Sequence, residues 1–157
     1  MGVYSNHSDI WSVGTGIQLT HELEYCQLLK VDTSGTYIGF TNRFPLKNMA
    51  IEFDIYVDGE NGAENSRFCA SIQDQFNPFL LSLDNIKGSF RTWYHIKMVI
   101  DENLSKMPVY KDYSTTPTTE KSYNNSYVME NNVDFRFWCF ANLNEIRYKN
   151  FIVYRIQ

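Results

Sequence analysis

Short segments in which apolar and polar residues alternate are the feature that most limits what this chain can fold into. In 50-AIEFDIYV-57 the odd-numbered positions are all large and apolar: Ile51, Phe53, Ile55 and Val57. A period of two places successive side chains on opposite faces of an extended backbone, as in a strand with one buried face. The segment therefore predicts a half-buried strand that presents Glu52, Asp54 and Tyr56 on its other face.

Segments with strand character recur along the chain, separated by turn-forming residues. We predict strands over residues 25–31, 36–40, 50–57, 67–74, 79–83, 93–101, 107–112, 133–140 and 149–156. No window shows sustained helical spacing of apolar residues, although residues 141–148 can hold a helical turn. Many short strands with almost no helix predict an all-β fold, either an antiparallel β-sandwich or a barrel. Whether residues 1–35 form strands or an arm stays open.

Length and composition fit a single domain over residues 1–157. Hydrophobic residues make up 43% of the chain and aromatic residues 16%, enough for a sizeable core and for flat faces on which a ligand can stack. Residues 111–132 are rich in Thr, Ser, Asn and Tyr, which predicts a long exposed polar loop. This composition suits an adaptable recognition surface, and a solvated loop or a strand-bearing extension is the alternative.

Charge and motifs exclude several classes of function. The net charge is −4 and the basic residues are scattered, so nucleic acid is not an expected partner. No apolar run reaches the roughly 18 residues of a membrane span, which predicts no membrane insertion. The cysteines, Cys26, Cys69 and Cys139, lack zinc-site spacing, and we expect Cys139 to be a buried free thiol. Motifs of nucleophilic, zinc-protease and phosphate-binding enzymes are absent, so no catalytic residue and no metal site is predicted.

The order of the strand segments resembles a known superfamily. The segments IEFDIYVDG, 93-WYHIKMVID-101, 108-PVYKD-112 and 149-KNFIVYRI-156 are similar in order and type to those of concanavalin A-like lectins and glucanases, over about residues 36–157. The resemblance implies a jelly roll of two curved antiparallel sheets whose concave face or rim loops hold sugars. It also raises calcium as a cofactor, because 58-DGENGAEN-65 offers oxygen ligands, although the usual calcium-loop spacing is absent. No cofactor is otherwise expected.

The same resemblance permits a test for hydrolysis. Glycoside hydrolases of this superfamily carry E-x-D-x-x-E or E-x-D-x-E on one strand, because retaining hydrolysis needs two carboxyl groups about 5 Å apart. Glu52 and Asp54 match the first two positions, but the second glutamate is replaced by Tyr56 or Val57. We therefore predict that the chain is not an enzyme, and a diverged glycoside hydrolase stays as an alternative.

A binding face uses the same residues more simply. Alternation in three strand segments predicts one outward face that carries aromatic, basic and acidic side chains: Tyr56, Trp93, His95, Arg136, Trp138, Glu52 and Asp54. Sugar recognition needs an aromatic surface beneath the pyranose and planar polar groups that reach its hydroxyls, and this set contains both. The other interpretation is that the tryptophans cover a second layer of the fold or an oligomer contact, and that Glu52 forms cross-strand ion pairs with Arg136 or Lys97.

The function predicted from sequence is a non-catalytic, lectin-like carbohydrate-binding module. Its expected partner is a cell-surface glycan or polysaccharide, and its expected setting is extracellular or on a virion surface, as in a phage tail fibre or an adhesin. The alternative is a structural or protein-interaction domain of such an assembly, for which homo-oligomerisation is open.

Overall fold

The computed structural model describes residues 47–59, 81–122 and 143–157, together with the backbone of strand segments at 2–3, 10–13, 18–22, 25–29, 36–40, 69–73 and 134–139. Within this part of the chain every regular element is a β-strand. The strands are β1 (Gly2–Val3), β2 (Ile10–Val13), β3 (Gln18–Glu22), β4 (Tyr25–Leu29), β5 (Thr36–Phe40), β6 (Met49–Gly59), β7 (Cys69–Gln73), β8 (Trp93–Ile100), β9 (Met107–Lys111), β10 (Thr119–Lys121), β11 (Asp134–Cys139) and β12 (Leu143–Arg155).

The strands form two antiparallel sheets. The larger sheet has eight strands in the order β10-β9-β8-β6-β12-β4-β3, and β1 pairs with one end of β12. The smaller sheet has four strands in the order β2-β5-β11-β7. This arrangement confirms the all-β antiparallel sandwich. None of the residues described here belongs to a helix long and apolar enough to cross a membrane.

The core follows from the alternation in β6 and β8. The inward side chains of the two strands are all buried: Ile51, Phe53, Ile55, Val57, Tyr94, Ile96, Met98 and Ile100. Burying a side chain of this size stabilises the fold by about 1.5–3 kcal/mol relative to leaving it in water. Since each buried residue alternates with a polar neighbour, the packing also determines which side chains face outward from the large sheet.

Three predictions about the strand pattern need correction. Residues 143–148 form no helical turn: they belong to β12, which pairs with both β6 and β4, so its backbone bonds are satisfied between strands. Residues 81–83 are not a strand. They enter a turn in which the side chains of Ser82 and Asn85 each accept a hydrogen bond from the other residue's backbone N–H, at 3.1 and 3.2 Å. Leu81 and Leu83 lie in this loop, and their side chains are buried in the core. Residues 79–80 lie outside the described part of the chain.

The third correction concerns the polar segment 111–132, where the described residues follow the alternative of a strand-bearing extension. Lys111 ends β9 and Thr119–Lys121 forms β10, which pairs with β9, so the first part of the segment is a hairpin and not a continuous loop. Residues 123–132 lie outside the described part. Residues 1–35, which the sequence left open, contribute β1 to β4 to the two sheets.

Candidate functional site

The outward face of β6 and β8 carries most of the predicted site. The register of the two strands pairs Glu52 with Lys97, Asp54 with His95, and Tyr56 with Trp93. Directly opposed residues of an antiparallel pair point to the same side of the sheet, so these six side chains form one surface. We call this set, Glu52, Asp54, Tyr56, Trp93, His95 and Lys97, the polar face.

Two of the predicted residues belong elsewhere in the fold. Arg136 and Trp138 lie on β11, which pairs with β5 and β7 in the four-stranded sheet. The prediction that they share one sheet face with Glu52 and His95 is therefore wrong. Alternation shows which side chains of a strand point the same way, but it does not show which sheet the strand joins. The side chains of β11, including Cys139, lie outside the described residues.

His95 lies between the two carboxylates of the polar face. Its Nδ1 is 2.8 Å from Asp54 Oδ1, and its Nε2 is 3.3 Å from Glu52 Oε2. The side chain of His95 is only 12% exposed. A neutral imidazole donates from one nitrogen, so only the protonated ring donates to both carboxylates at once. The imidazole thus separates Glu52 from Asp54 and links them through opposite edges of one ring.

Glu52 is held by two further side chains. The Tyr154 hydroxyl donates a hydrogen bond to Glu52 Oε1, and Lys97 Nζ lies 3.5 Å from the same oxygen. Burial raises the pKa of Tyr154, and its hydrogen bond to Glu52 acts in the same direction. Contact with the Tyr154 hydroxyl raises the pKa of Lys97. Both groups therefore keep their protons at neutral pH and act as donors around Glu52.

A bulge in β12 supplies the second partner of Asp54. The register passes from Lys149 opposite Asp54 to Ile152 opposite Glu52, so β12 contains one residue more than β6 in this interval. Asn150, at a positive φ of 54°, points outward and its Nδ2 donates to Asp54 Oδ2 at 2.6 Å. Phe151, the next residue, is buried. The bulge thus adds an amide to the polar face without removing an apolar side chain from the core.

The predicted aromatic pair is present, but its rings have neighbours. Tyr56 and Trp93 have ring centroids 5.7 Å apart at an interplanar angle of 45°. The guanidinium carbon of Arg147 lies 4.9 Å from the Tyr56 centroid, and Lys149 Nζ lies 4.7 Å from the Trp93 centroid. Such contacts are cation–π interactions; Arg147 reaches the ring on the adjacent strand β6, and Lys149 reaches across β6 to the ring on β8. Both rings are half-buried, and a cation stands over each of them.

Tyr113 has a different setting and is absent from the predicted site set. It lies in the hairpin between β9 and β10, and its ring stacks on His95 with centroids 4.1 Å apart and planes 10° apart. The tyrosine is 78% exposed. The sequence placed Tyr113 in a recognition loop but gave no sign that the hairpin folds back over His95. The alternation of β12 is enough to place Arg147 and Lys149 on the outward face. The outward position of Asn150 does not follow from the sequence, because the bulge shifts the alternation at that residue.

The two carboxylates of the polar face are not arranged as in a retaining hydrolase. A retaining hydrolase needs an open gap of about 5 Å between its carboxyl groups for the scissile bond, and here the His95 ring fills the space between Glu52 and Asp54. Within the described ranges no three acidic, histidine or cysteine side chains converge on a point that a metal ion could occupy. The segment 58–65, which the resemblance raised as a possible source of calcium ligands, lies outside those ranges except for Asp58 and Gly59.

Solved structures with the same fold share little sequence with this chain. A sialidase matches all of the chain, with a TM-score of 0.68 and 13% identity. A Bacillus subtilis protein of unknown function with a galectin-like fold matches 97% of the chain and 91% of its own length, with a TM-score of 0.61 and 14% identity. A lectin from Bauhinia forficata, solved in complex with GalNAc, matches 99% of the chain and 96% of its own length, with a TM-score of 0.57 and 9% identity.

These likenesses concern the fold. The chain spans only 18% of the length of the sialidase that it matches. No family model matches the sequence, and no curated protein matches it. The order of the strand segments predicted a jelly-roll β-sandwich. The two antiparallel sheets and the three structural neighbours confirm this fold, which is of the concanavalin A-like, galectin type.

Proposed function

We propose that this chain is a non-catalytic carbohydrate-binding module. The observation that carries the proposal is the composition of the polar face, where the Tyr56–Trp93 pair lies beside the hydrogen-bonded group of Glu52, His95 and Asp54. Aromatic side chains provide the apolar surface that a pyranose ring requires, and carboxylates and amides bind its hydroxyls. The likeness to a lectin crystallised with GalNAc supports the same use of this fold.

The biological setting is part of the proposal. We place the module on an extracellular or virion surface, in a phage tail fibre, a receptor-binding protein or an adhesin, where it attaches to a cell-surface glycan or polysaccharide. Coverage of only 18% of a sialidase is consistent with a fold that serves as one module of a larger protein. A binding role without catalysis also agrees with the closed space between Glu52 and Asp54.

One observation favours a second candidate, a structural or protein-interaction domain of the same kind of assembly. Cations cover the rings of Tyr56 and Trp93, and both rings are already half-buried within one chain. Aromatic residues packed in this way stabilise a sheet surface without any ligand. An assembly domain would bury the parts of these two rings that are still exposed against another subunit.

A glycan-array screen of the purified domain separates the candidates. We expect selective binding by the wild-type protein and at least about tenfold weaker binding by Trp93→Ala, which removes one ring of the polar face. Trp138→Ala is the matched control, because its strand belongs to the other sheet. Circular dichroism establishes that each variant is folded. Absence of binding to a broad array by the folded wild-type domain rejects the carbohydrate-binding role and favours the assembly role.

A further inference from the structure

We propose that Tyr113 adds a second stacking surface for a bound sugar, beside the one that Tyr56 and Trp93 provide, and that the sugar is a neutral pyranose. This inference rests on the proposed carbohydrate-binding function and assigns a specific residue and ligand class to it. Tyr113 lies in the turn that follows β9, within the hairpin that joins β9 to β10, and directly beside the polar face. Three features of this hairpin lead to the inference: the exposure of the ring, the backbone conformation and the contacts that hold it.

The exposure of Tyr113 distinguishes it from the other aromatic residues of the site. Tyr56 and Trp93 are half-buried and carry Arg147 and Lys149 over their rings. Tyr113 is 78% exposed, and the only other exposed large hydrophobic residue in the described part of the chain is Leu104, at 40%. One face of the Tyr113 ring rests on His95, so the opposite face is the one available to a ligand.

The backbone holds Tyr113 in a conformation that a tyrosine rarely adopts. Asp112 and Tyr113 are consecutive and both have positive φ, at 53° and 61°. This pair of left-handed conformations is typical of a tight hairpin turn in which Asn and Gly are the favoured residues, and a bulky side chain makes it costly. A strained position occupied by a large exposed ring is a sign of function, because a glycine would form the same turn without the strain.

Hydrogen bonds fix the strained turn against β8. The Asp112 N–H donates to the His95 carbonyl oxygen at 2.8 Å, and the His95 N–H donates to Asp112 Oδ1 at 3.1 Å. The Ser114 N–H closes the turn by donating to the Lys111 carbonyl oxygen at 3.1 Å. The ring is therefore held in one place before a ligand arrives, which lowers the entropy lost on binding.

The surroundings of the ring indicate the class of sugar. Ser114, Thr115 and Thr116 follow Tyr113, are exposed and carry hydroxyl groups. The Ser114 hydroxyl already donates to the Thr116 carbonyl oxygen at 2.8 Å, so the threonine hydroxyls are the ones that a sugar hydroxyl would meet. The carboxylate of Asp112, whose Oδ1 accepts the His95 N–H, places an acidic group beside the ring, which disfavours anionic sugars relative to neutral ones. An aromatic ring with hydroxyls and one carboxylate at its edge matches a neutral pyranose that stacks its C–H face on Tyr113.

The test compares Tyr113→Gly, Tyr113→Phe and Leu104→Ala with the wild-type protein. Glycine adopts a positive φ without strain, so Tyr113→Gly removes the ring while keeping the turn. Leu104→Ala removes the other exposed apolar side chain, which lies in a different turn. Binding is measured by isothermal titration with the methyl glycoside of the neutral sugar that gives the strongest array signal. Saturation-transfer NMR identifies the sugar protons that touch the protein.

We expect Tyr113→Gly to weaken binding at least about tenfold, and Tyr113→Phe and Leu104→Ala to stay within about threefold of the wild type. In the wild-type complex, saturation transfer should be strongest at the C–H protons of one sugar face. Thermal unfolding verifies folding, and Tyr113→Asn, which also tolerates positive φ, replaces the glycine variant if that variant is unfolded.

Each outcome has a distinct meaning. Wild-type binding that Tyr113→Gly leaves unchanged overturns the role of Tyr113 and keeps the carbohydrate-binding function. Equal loss in Tyr113→Phe and Tyr113→Gly overturns stacking, because the hydroxyl and not the ring would then be required. A preference for anionic glycans overturns the ligand class. A folded wild-type domain that binds no sugar overturns both this inference and the function on which it rests.

Discussion

The side-chain amide of Asn150 donates a hydrogen bond to Asp54 at 2.6 Å, although the two residues are 96 positions apart in sequence. The contact exists because β12 contains a bulge at this point, which turns Asn150 outward while Phe151 enters the core. Asn150 thus combines two roles, since its backbone adopts the positive φ of the bulge and its side chain holds a carboxylate of the polar face.

The two roles of Asn150 predict different effects of two substitutions. Asn150→Gly keeps the permissive backbone and loses only the amide, so the free energy of unfolding should fall by less than about 1 kcal/mol. Asn150→Ala also places a Cβ at positive φ. This variant should lower the free energy of unfolding by about 1 kcal/mol more than the glycine variant does. Urea denaturation of the three proteins measures both differences. Equal stability of the two variants would show that the bulge imposes no backbone constraint.

His95 should stabilise the fold by separating two like charges. His95→Ala leaves the carboxylates of Glu52 and Asp54 without the ring that bonds both, and should lower the free energy of unfolding by about 2 kcal/mol. In an Asp54→Asn background one of the charges is gone, so the same substitution should cost about 1 kcal/mol less. A double-mutant cycle measured by chemical denaturation checks this coupling. Additive effects would mean that His95 acts through packing alone.

Stability should fall at alkaline pH because of Lys97 and Tyr154. The pKa of each group is raised above its ordinary value in the folded protein, through their mutual contact for Lys97 and through burial for Tyr154. Their contribution to stability is therefore complete below about pH 10. It is lost as the pH rises through the pKa values that the two groups have in the folded protein. Because both side chains are partly exposed, the loss should stay below about 1 kcal/mol.

Urea denaturation between pH 8 and pH 11.5 measures this loss. The control is Tyr154→Phe, which removes the titrating hydroxyl and its contacts with Glu52 and Lys97. Its free energy of unfolding should change less over the same pH interval than that of the wild type. An equally steep decline in both proteins would assign the alkaline instability to other groups.

Gly88 has little space for a side chain. A Cβ at this position would lie 3.0 Å from Leu83 Cδ2 and 3.1 Å from Tyr94 Cε2, both in buried residues. Gly88→Ala should therefore lower the free energy of unfolding by about 1–3 kcal/mol through overpacking. Ser89→Ala, at the exposed neighbouring position, is the control and should change it by less than about 0.5 kcal/mol. A neutral Gly88→Ala variant would show that the turn moves to accommodate the methyl group.

The fold and the part of the candidate site on β6 and β8 could be predicted because they depend on local alternation. In β6 and β8 the period of two identified the buried side chains, and with them the outward positions of Glu52, Asp54 and His95. Since the core and the outward face of a strand are complementary, one pattern specifies both. The fold class followed in the same way from the number and spacing of such segments.

The remaining features depend on contacts that local patterns do not contain. The pairing of β11 with β5 and β7 separates Arg136 and Trp138 from the polar face, and no periodicity within β11 indicates which sheet it joins. The bulge at Asn150 changes the phase of β12, so alternation gives the wrong facing after it. The turn at Tyr113 uses a residue that is unfavourable at positive φ, so propensity points away from it.

The position of β12 in the sheet has a consequence for biosynthesis. In the described pairing, β12 joins β10-β9-β8-β6 to β4-β3, and it follows all of these strands in sequence. On the ribosome, β6 and β4 therefore emerge long before the strand that completes their hydrogen bonding, and each presents an unpaired edge to other nascent chains. Long-range pairing of this kind folds slowly, so the interval before β12 is released is when the chain is most exposed to aggregation.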